Sequence, residues 1–452
     1  MGDEIASYSN GKAYIITRLN PYLTNLLHII NQNSSPLHTN YLILQLFCSM
    51  FKCTLFLLIF FPFVVFGQVT ITGKVTDITT HKPIGYASVI LSNSSVGNRT
   101  DTTGIFVLRN VKPGQYDLVA SIVGYETYQI TLMVSNANLT IPPIELLPKS
   151  INLQEVIIKP DAEWFRNYEI FKTELLGEGP DSKQCKILNP DVVKLRFDEG
   201  KNQLIGSSTD FIEIENRALG YRVKYLLSAF NKDYKKSMIF YEGSVLFEDL
   251  PTSSPEQVER YKKARERAYY GSMQHFLKAA LHNRAEDDGF KALQMVKIPN
   301  PKRPSDEEIK SRMAYFNTIG NFTRSSEDSL YNLERLKRLP KTIFSVVKDP
   351  PVYPSMLVKR TNQTGVYVMT YTDYLYVMYT KTLDNSSNSL VYRPTDTPNY
   401  STSILTFSEP RVYFDDNGHI MNPLSIVTEG AWGKNRVSGM LPIDYEPSGP
   451  PQ

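Results

Sequence analysis

From Gly73 to Tyr128, short apolar runs alternate with turn-forming clusters at close, regular spacing: GKVTDITTHKPIGYASVILSNSSVGNRTDTTGIFVLRNVKPGQYDLVASIVGYETY. A chain punctuated this often has no room for long helices, and the pattern specifies a small all-β sandwich. Strands are expected at Val69–Thr76, Tyr86–Leu91, Gly104–Val111, Gln115–Val123 and Tyr128–Val134. His81-Lys82-Pro83, Asn93-Ser94-Ser95, Asp101-Thr102-Thr103-Gly104 and Lys112-Pro113-Gly114 supply the turns. Pro142-Pro143 and Pro148 read as the exit from the sandwich.

Just before this stretch lies an apolar run, Cys53 to Phe66, preceded by Met50 and Lys52 and followed by Gly67. That is the layout of a secretory signal with cleavage before Gln68. On this reading Met50 is the start and residues 1–49 are an upstream extension. The rival reading joins Tyr41 to Phe66 into one membrane anchor, long enough to span a bilayer and to hold the protein at the membrane. Sequencing the mature N-terminus separates the two. Of the three cysteines, Cys48 and Cys53 belong to this region, so removing it leaves Cys185 alone. An exported chain without disulfides relies on packing, as a bacterial envelope protein does. The net charge of +3 is small for 452 residues, and no block of five or six like charges occurs, which argues against nucleic acid as a partner.

Beyond the sandwich, Ile151–Ile158 reads as a linker strand and Ala162–Leu176 as a helix with Trp164, Phe165, Tyr168, Phe171 and Leu175 near one face. Strands are expected at Lys194–Phe197, Phe211–Ile214, Tyr221–Phe230 and Ser237–Phe247. The clearest helix runs from Glu256 to Glu286, opened by Ser253-Ser254-Pro255 and closed near Asp288-Gly289. A short helix is expected at Ser305–Met313 behind the capping box Ser305-Asp306-Glu307-Glu308. Thr364–Thr382 and Ser403–Phe414 read as strands, and Asp415-Asp416-Asn417-Gly418 as a hairpin turn before Ser425–Thr428. The chain therefore divides into 1–49 (extension), 50–67 (signal or anchor), 69–147 (sandwich), 148–160 (linker strand) and 161–452 (α+β region).

Five ordered motifs within the first module carry a family resemblance. They are Gly73–Asp77, Pro83–Val89, Thr100–Phe106, Val111–Tyr116 and Gly124-Tyr125-Glu126. The module resembles the carboxypeptidase regulatory-like domain, and the resemblance implies a transthyretin-like β-sandwich that is not itself catalytic. Behind a signal sequence it is similar to the first module of many Bacteroidetes envelope proteins. Leu219–Val223, Tyr241-Glu242-Gly243, Ala268–Leu277 and Leu441–Tyr445 resemble the remainder of a Bacteroidetes group described only as carboxypeptidase-like regulatory domain proteins. The fold class expected is thus mainly β with an α+β region: a transthyretin-like sandwich, then a strand-rich region with one long helix.

No enzyme constellation emerges from the residues. A zinc carboxypeptidase needs His-x-x-Glu plus a distant His. His81, His275, His282 and His419 are followed three positions later by Ile84, Lys278, Ala285 and Asn422. His275 and His282 share a face of the expected long helix, with Glu286 beyond them. Two turns separate them by about 10 Å, too far for one ion. Cys185 has Lys183 and Lys186 nearby but no histidine, and reads as an ordinary thiol. Asp415–Gly418 lacks the spacing and closing Glu of a calcium loop. No metal, cofactor or catalytic residue is assigned.

Two features could bind. Along Tyr367–Tyr379 one face carries Tyr367, Tyr371, Asp373 and Tyr379, the other Val368, Tyr374, Tyr376 and Met378; a buried strand is the favoured reading over a sugar or peptide platform. The basic start of the long helix, from Arg260 to Arg267, reads as a solvated, salt-bridged face. Arg222, Glu242, His275 and Tyr445, one from each of the four C-terminal segments, are the candidate surface or pocket. The expected function is non-enzymatic, binding or structural, in the periplasm or outer membrane of a Gram-negative cell, with an envelope protein, peptide or glycan as partner. Leu153–Ile158 also resembles the segment before the plug of TonB-dependent receptors, but their barrel needs several hundred more residues of alternating strands. An unrecognised hydrolase, betrayed by convergent carboxylates or histidine in a cleft, is the other alternative.

Overall fold

A computed structural model describes residues 6–9, 12–15, 69–149, 162–318, 323–384 and 397–449. The expected signal segment and the linker strand at Ile151–Ile158 lie outside these residues. Met1–Phe66 and Gly67–Gln452 form separate compact units. In the first, β1 (Ala6–Ser9) pairs antiparallel with β2 (Lys12–Ile15).

The sandwich comprises β3 (Val69–Asp77), β4 (Ser88–Leu91), β5 (Gly97–Arg99), β6 (Ile105–Val111), β7 (Gly114–Ser121), β8 (Tyr128–Val134), β9 (Leu139–Thr140) and β10 (Ile144–Leu146). One sheet runs β10-β3-β6 with β9 also on β3; the other runs β5-β4-β7-β8. Alternation places Ile71, Val89, Phe106, Leu108 and Leu118 between them as a dry core. All five expected strands form. Pro142-Pro143 does not mark the exit: β9 and β10 lie before and after it, both parallel to β3. Proline cannot donate to a ladder, so the pair interrupts one edge strand instead of ending the sandwich.

Helix α1 (Ala162–Leu176) covers a sheet of β11 (Cys185–Ile187), β12 (Val193–Asp198), β13 (Gln203–Ser208), β14 (Ile212–Asn216), β15 (Tyr221–Asp233) and β16 (Met238–Asp249). Trp164, Tyr168, Phe171 and Leu175 pack onto Val223, Tyr225 and Phe230. Phe165, expected on that face, is 57% exposed, its ring edge-on to Trp164. It adjoins Trp164 in sequence and so points about 100° around the helix from it. The other face of the sheet sets Leu226 and Leu246 against Ile90 and Val119 of the sandwich.

The expected helix at Glu256–Glu286 is two helices, α2 (Pro255–Tyr269) and α3 (Met273–Leu281). Beyond them β17 (Phe290–Pro299) leads into α4 (Asp306–Thr318) and α5 (Arg324–Lys337), then β18 (Thr342–Val352). Ser305 Oγ accepts from the Glu308 amide, as the capping box requires. The remaining strands are β19 (Val358–Arg360), β20 (Val366–Met369), β21 (Tyr374–Leu383), β22 (Tyr400–Phe407), β23 (Val412–Asp415) and β24 (Ile426–Gly430). They form one sheet, β18-β17-β21-β22-β24, and a small one, β19-β20-β23. Thr364–Thr382 and Ser403–Phe414 are therefore each two strands in different sheets. The supposed two-faced Tyr367–Tyr379 ribbon does not exist as one strand. Leu375, Val377 and Tyr379 enter one core while Tyr376 and Met378 enter another, so β21 is buried on both faces. Among the described residues, no helix is long and apolar enough to cross a membrane.

Candidate functional site

The chain turns between α2 and α3 at Tyr270-Gly271-Ser272. Gly271 has φ +80°, and a Cβ there would lie 2.6 Å from the Tyr379 ring. Only glycine fits, and its left-handed conformation ends α2. Ser272 caps α3 by accepting from the His275 amide at 3.1 Å. His275 itself closes the corner: the Gly271 N–H donates to its Nδ1 at 3.1 Å. Since Nδ1 accepts, the ring proton sits on Nε2, which lies 3.3 Å from Asp288 Oδ2.

The ring is buried among Tyr269, Tyr270, Phe290 and Tyr379, with centroids 4.9–6.0 Å away. Burial pushes the imidazole down to about 4, against the pull of Asp288. A histidine with both nitrogens occupied offers a substrate no lone pair to act as base. What this nest does is fasten the α2–α3 corner onto β17 and β21. The helical break also removes the shared face expected for His275 and His282: His282 is the exposed C-cap of α3.

Of the four candidate residues, two come together. Tyr445 sets its ring 5.8 Å from Tyr269, the same ring that flanks His275. Burial first, and Glu266 second, push its hydroxyl up to about 12. Arg222 and Glu242 lie on the sheet face turned away from α1. Arg222 bridges Glu213 at 3.4 Å and Glu215 at 3.3 Å. Its register partner is Glu248, and Glu242 is six residues along β16, roughly 20 Å away. The four do not form one site.

One of their segments, Leu219–Val223, is tied to α2 through residues that carry no sequence signal. Arg265 donates to the Leu219 carbonyl at 2.8 Å, the Gly220 carbonyl at 3.0 Å and Asp249 at 2.7 Å. Its guanidinium stacks 3.8 Å over the Tyr221 ring. Gly220 (φ +74°) lets Tyr261 of α2 approach to where a Cβ would be 2.3 Å from the ring. Arg265 belongs to the stretch whose charge pattern reads as a solvated basic face; the carbonyls it caps are 45 residues or more away in sequence, beyond any local pattern.

A polar seam joins this region to the sandwich. The Asn93 amide donates to the Val245 carbonyl, the Phe247 amide to Ser94, and the Ile443 amide to Asn93. Ser95 donates its amide and hydroxyl to Asp444, at 2.9 and 2.5 Å. Lys112 donates to the Asp444 carbonyl and pairs with Glu446, both at 2.9 Å. Ile443 enters the sandwich core. Gln274 of α3 donates to the carbonyls of Asn417 and Ile443, each at 3.1 Å. The 415–418 segment is the expected turn: Asp415 accepts from the Asn417 and His419 amides and the Gly418 amide closes onto the Asp415 carbonyl. Burial raises Asp415 and lowers His419.

A pocket of about 260 Å³ lies between Ser272, Met273, Trp432 and Arg436. That is below the usual range for small-molecule sites, roughly 300–1,000 Å³. Its Ser272 hydroxyl is already engaged in capping. Cys185 is half-buried, donates to the Asp181 carbonyl, and is pushed up to about 12 by burial and then by Asp181, so it is no ready nucleophile. Among the described residues, no cluster of three or more His, Cys, Asp or Glu has metal-binding geometry.

Comparison with known proteins bears on the first module. Residues 71–158 match the model of the family described as CarboxypepD_reg-like domain. No curated protein matches the chain. Among solved structures, it is similar to a type II cohesin–X-dockerin complex from Acetivibrio cellulolyticus, at 21% identity over 18% of this chain and 58% of that one, with a TM-score of 0.16. It is likewise similar to the major pilin subunit of Bacillus cereus, at 15% identity over 18% of this chain and 30% of that one, TM-score 0.16. A third is the 5-hydroxyisourate hydrolase of Klebsiella pneumoniae, at 19% identity over 18% of this chain and 92% of that one, TM-score 0.16. The chain thus spans little more than half the length of the first and under a third of the second. The sandwich fold rests on the strand pairing described above.

Proposed function

We propose that this chain is an exported protein of the Gram-negative cell envelope that binds or braces a surface partner and catalyses no reaction. The carboxypeptidase regulatory-like module is a non-catalytic β-sandwich, and in this reading it serves as a rigid back for the α+β region. The observation that carries this is the seam: the Asn93–Ser95 turn exchanges backbone hydrogen bonds with β16 and with the C-terminal tail. A module tied in at three backbone positions supports a neighbour and does not swing as a tethered domain. The engaged ring nitrogens of His275 leave that residue no free lone pair to serve as a general base. The apolar run at Cys53–Phe66 supplies the export signal.

The test is to express the full chain with a C-terminal tag in a Gram-negative host, fractionate the cells and sequence the N-terminus. Envelope recovery starting near Gln68 supports the proposal, and retention in the cytosol overturns it. Pull-down with that material against peptidoglycan fragments, glycans and envelope proteins then identifies the partner class. Turnover of a peptide or ester substrate by the purified chain would contradict the non-catalytic half of the reading.

A further inference from the structure

Leu441–Gly449 crosses the junction between the sandwich and the α2–α3 corner as neither helix nor strand. Within itself it closes one turn, the Tyr445 amide donating to the Pro442 carbonyl at 3.0 Å. Otherwise it is held from outside, residue by residue, as a receptor holds an extended peptide. Pro442 and Ile443 are buried, Ile443 in the sandwich core. The Ile443 amide donates to the Asn93 carbonyl, and its own carbonyl accepts from Gln274. The Asp444 carboxylate accepts from both the amide and the hydroxyl of Ser95. Lys112 reads the Asp444 carbonyl and the Glu446 carboxylate together. Tyr445 lies against Tyr269, and the Tyr270 hydroxyl donates to the Gly449 carbonyl.

The receiving groups are positioned without this segment. Ser94 Oγ donates to the Leu91 carbonyl at 2.8 Å and accepts from the Val96 amide at 3.0 Å, so Ser95 is presented by a turn that closes on itself. Two backbone bonds from that turn to β16, and the packing of Ile90 and Val119 on Leu226 and Leu246, keep the sandwich docked with or without the segment. Tyr269 and Tyr270 are fixed by the His275 ring, and Gln274 also by the Asn417 carbonyl. A groove set in advance spares a ligand the cost of ordering it. The segment, by contrast, has little to hold it beyond Pro442 and Ile443. Asp444 and Tyr445 are half-buried and Glu446 is exposed, so their contacts compete with water. The chemistry of the groove is nonetheless selective: an apolar hole, then a two-point carboxylate receptor, an aromatic shelf and a cation.

We infer that Leu441–Glu446 is an exchangeable strap, occupying in cis a groove that recognises peptides of the order apolar, Asp, aromatic, Glu. The inference rests on the binding role proposed above and names the chemistry of the partner. Fluorescence anisotropy of a labelled synthetic peptide of residues 441–449, titrated with the full chain, tests it. The wild type should bind weakly, because its own strap competes. Asp444→Ala with Tyr445→Ala loosens the strap, leaves the groove intact, and should tighten binding by about tenfold or more. Adding Ser95→Ala and Lys112→Ala should cancel that gain. A peptide with alanine in place of its aspartate should bind the strap variant about tenfold more weakly than the parent peptide. Should the strap variant misfold by circular dichroism, hydrogen–deuterium exchange of the wild type decides. Peptides from 441–449 should then exchange at low urea while those from 69–134 stay protected. A folded strap variant that ignores the peptide, equal binding of the aspartate and alanine peptides, or exchange of 441–449 only in the global transition would overturn the inference. An envelope partner captured by the chain and not displaced by this peptide would leave the binding role standing and sink the strap alone.

Discussion

His275 is held by two hydrogen bonds and four aromatic rings, which makes it the residue whose loss should be most legible. His275→Phe keeps the aromatic volume but leaves the Gly271 amide and Asp288 without that partner, and should destabilise the fold by about 1–3 kcal/mol in urea unfolding. The pH dependence has a definite sign. The native imidazole titrates at about 4, whereas an unfolded histidine does so near 6.5. The unfolded chain therefore binds more protons between those values. Stability from this residue is complete above about pH 6.5 and lost as pH falls toward 4. Subtracting the variant's profile from the wild type's isolates this contribution from the buried Asp415–His419 pair. A difference that is flat over that window would contradict the buried neutral ring.

Gly271→Ala forces a Cβ against Tyr379 at positive φ and should cost about 1–3 kcal/mol. Gly179→Ala, with open space around it, should change stability by less than about 0.5 kcal/mol. Paired thermal melts separate the two.

At the level of elements, the corner between α2 and α3 depends on its cap. Ser272→Ala removes the acceptor for the His275 amide and should cost about 1 kcal/mol, with Ser272→Asp largely restoring it; chemical denaturation with far-ultraviolet detection reads both. Gly271 lies within helical periodicity, and nothing local distinguishes a glycine that permits packing from one that ends a helix; the ring of Tyr379, over a hundred residues away, decides it. The sandwich strands were legible because each is bounded by its own Pro, Gly or Asn turn. So was α1, whose Trp164, Tyr168, Phe171 and Leu175 follow one stripe. The strand at Gln203–Ser208 was missed because Gly206 and two serines dilute its alternation. The aromatic run at Thr364–Thr382 reads as one strand because β20 and β21 are both rich in Tyr and Val, and only a short polar break separates them. Of the candidate site, His275 and Tyr445 were visible as members of distinctive segments, whereas Arg265 and the Ser95–Asp444 contact join residues too distant for any spacing rule.

Across the Gly67–Gln452 unit, the sandwich is part of one structure with the region behind it. Ile90 and Val119 meet Leu226 and Leu246, the Asn93–Ser95 turn bonds to β16, and Ile443 returns to the sandwich core from the end of the chain. Leu246→Asp places a charge in that apolar contact, and its loss of at least about 3 kcal/mol should appear in both regions together. Exchange of amide hydrogen with deuterium along a urea series, resolved by peptide, tests the coupling most directly. Peptides from 69–134 and from 193–249 should lose protection in one transition, with those holding the Val119 and Phe247 amides opening at the same free energy. A sandwich that opens at lower urea while the α1-covered sheet stays protected would contradict it.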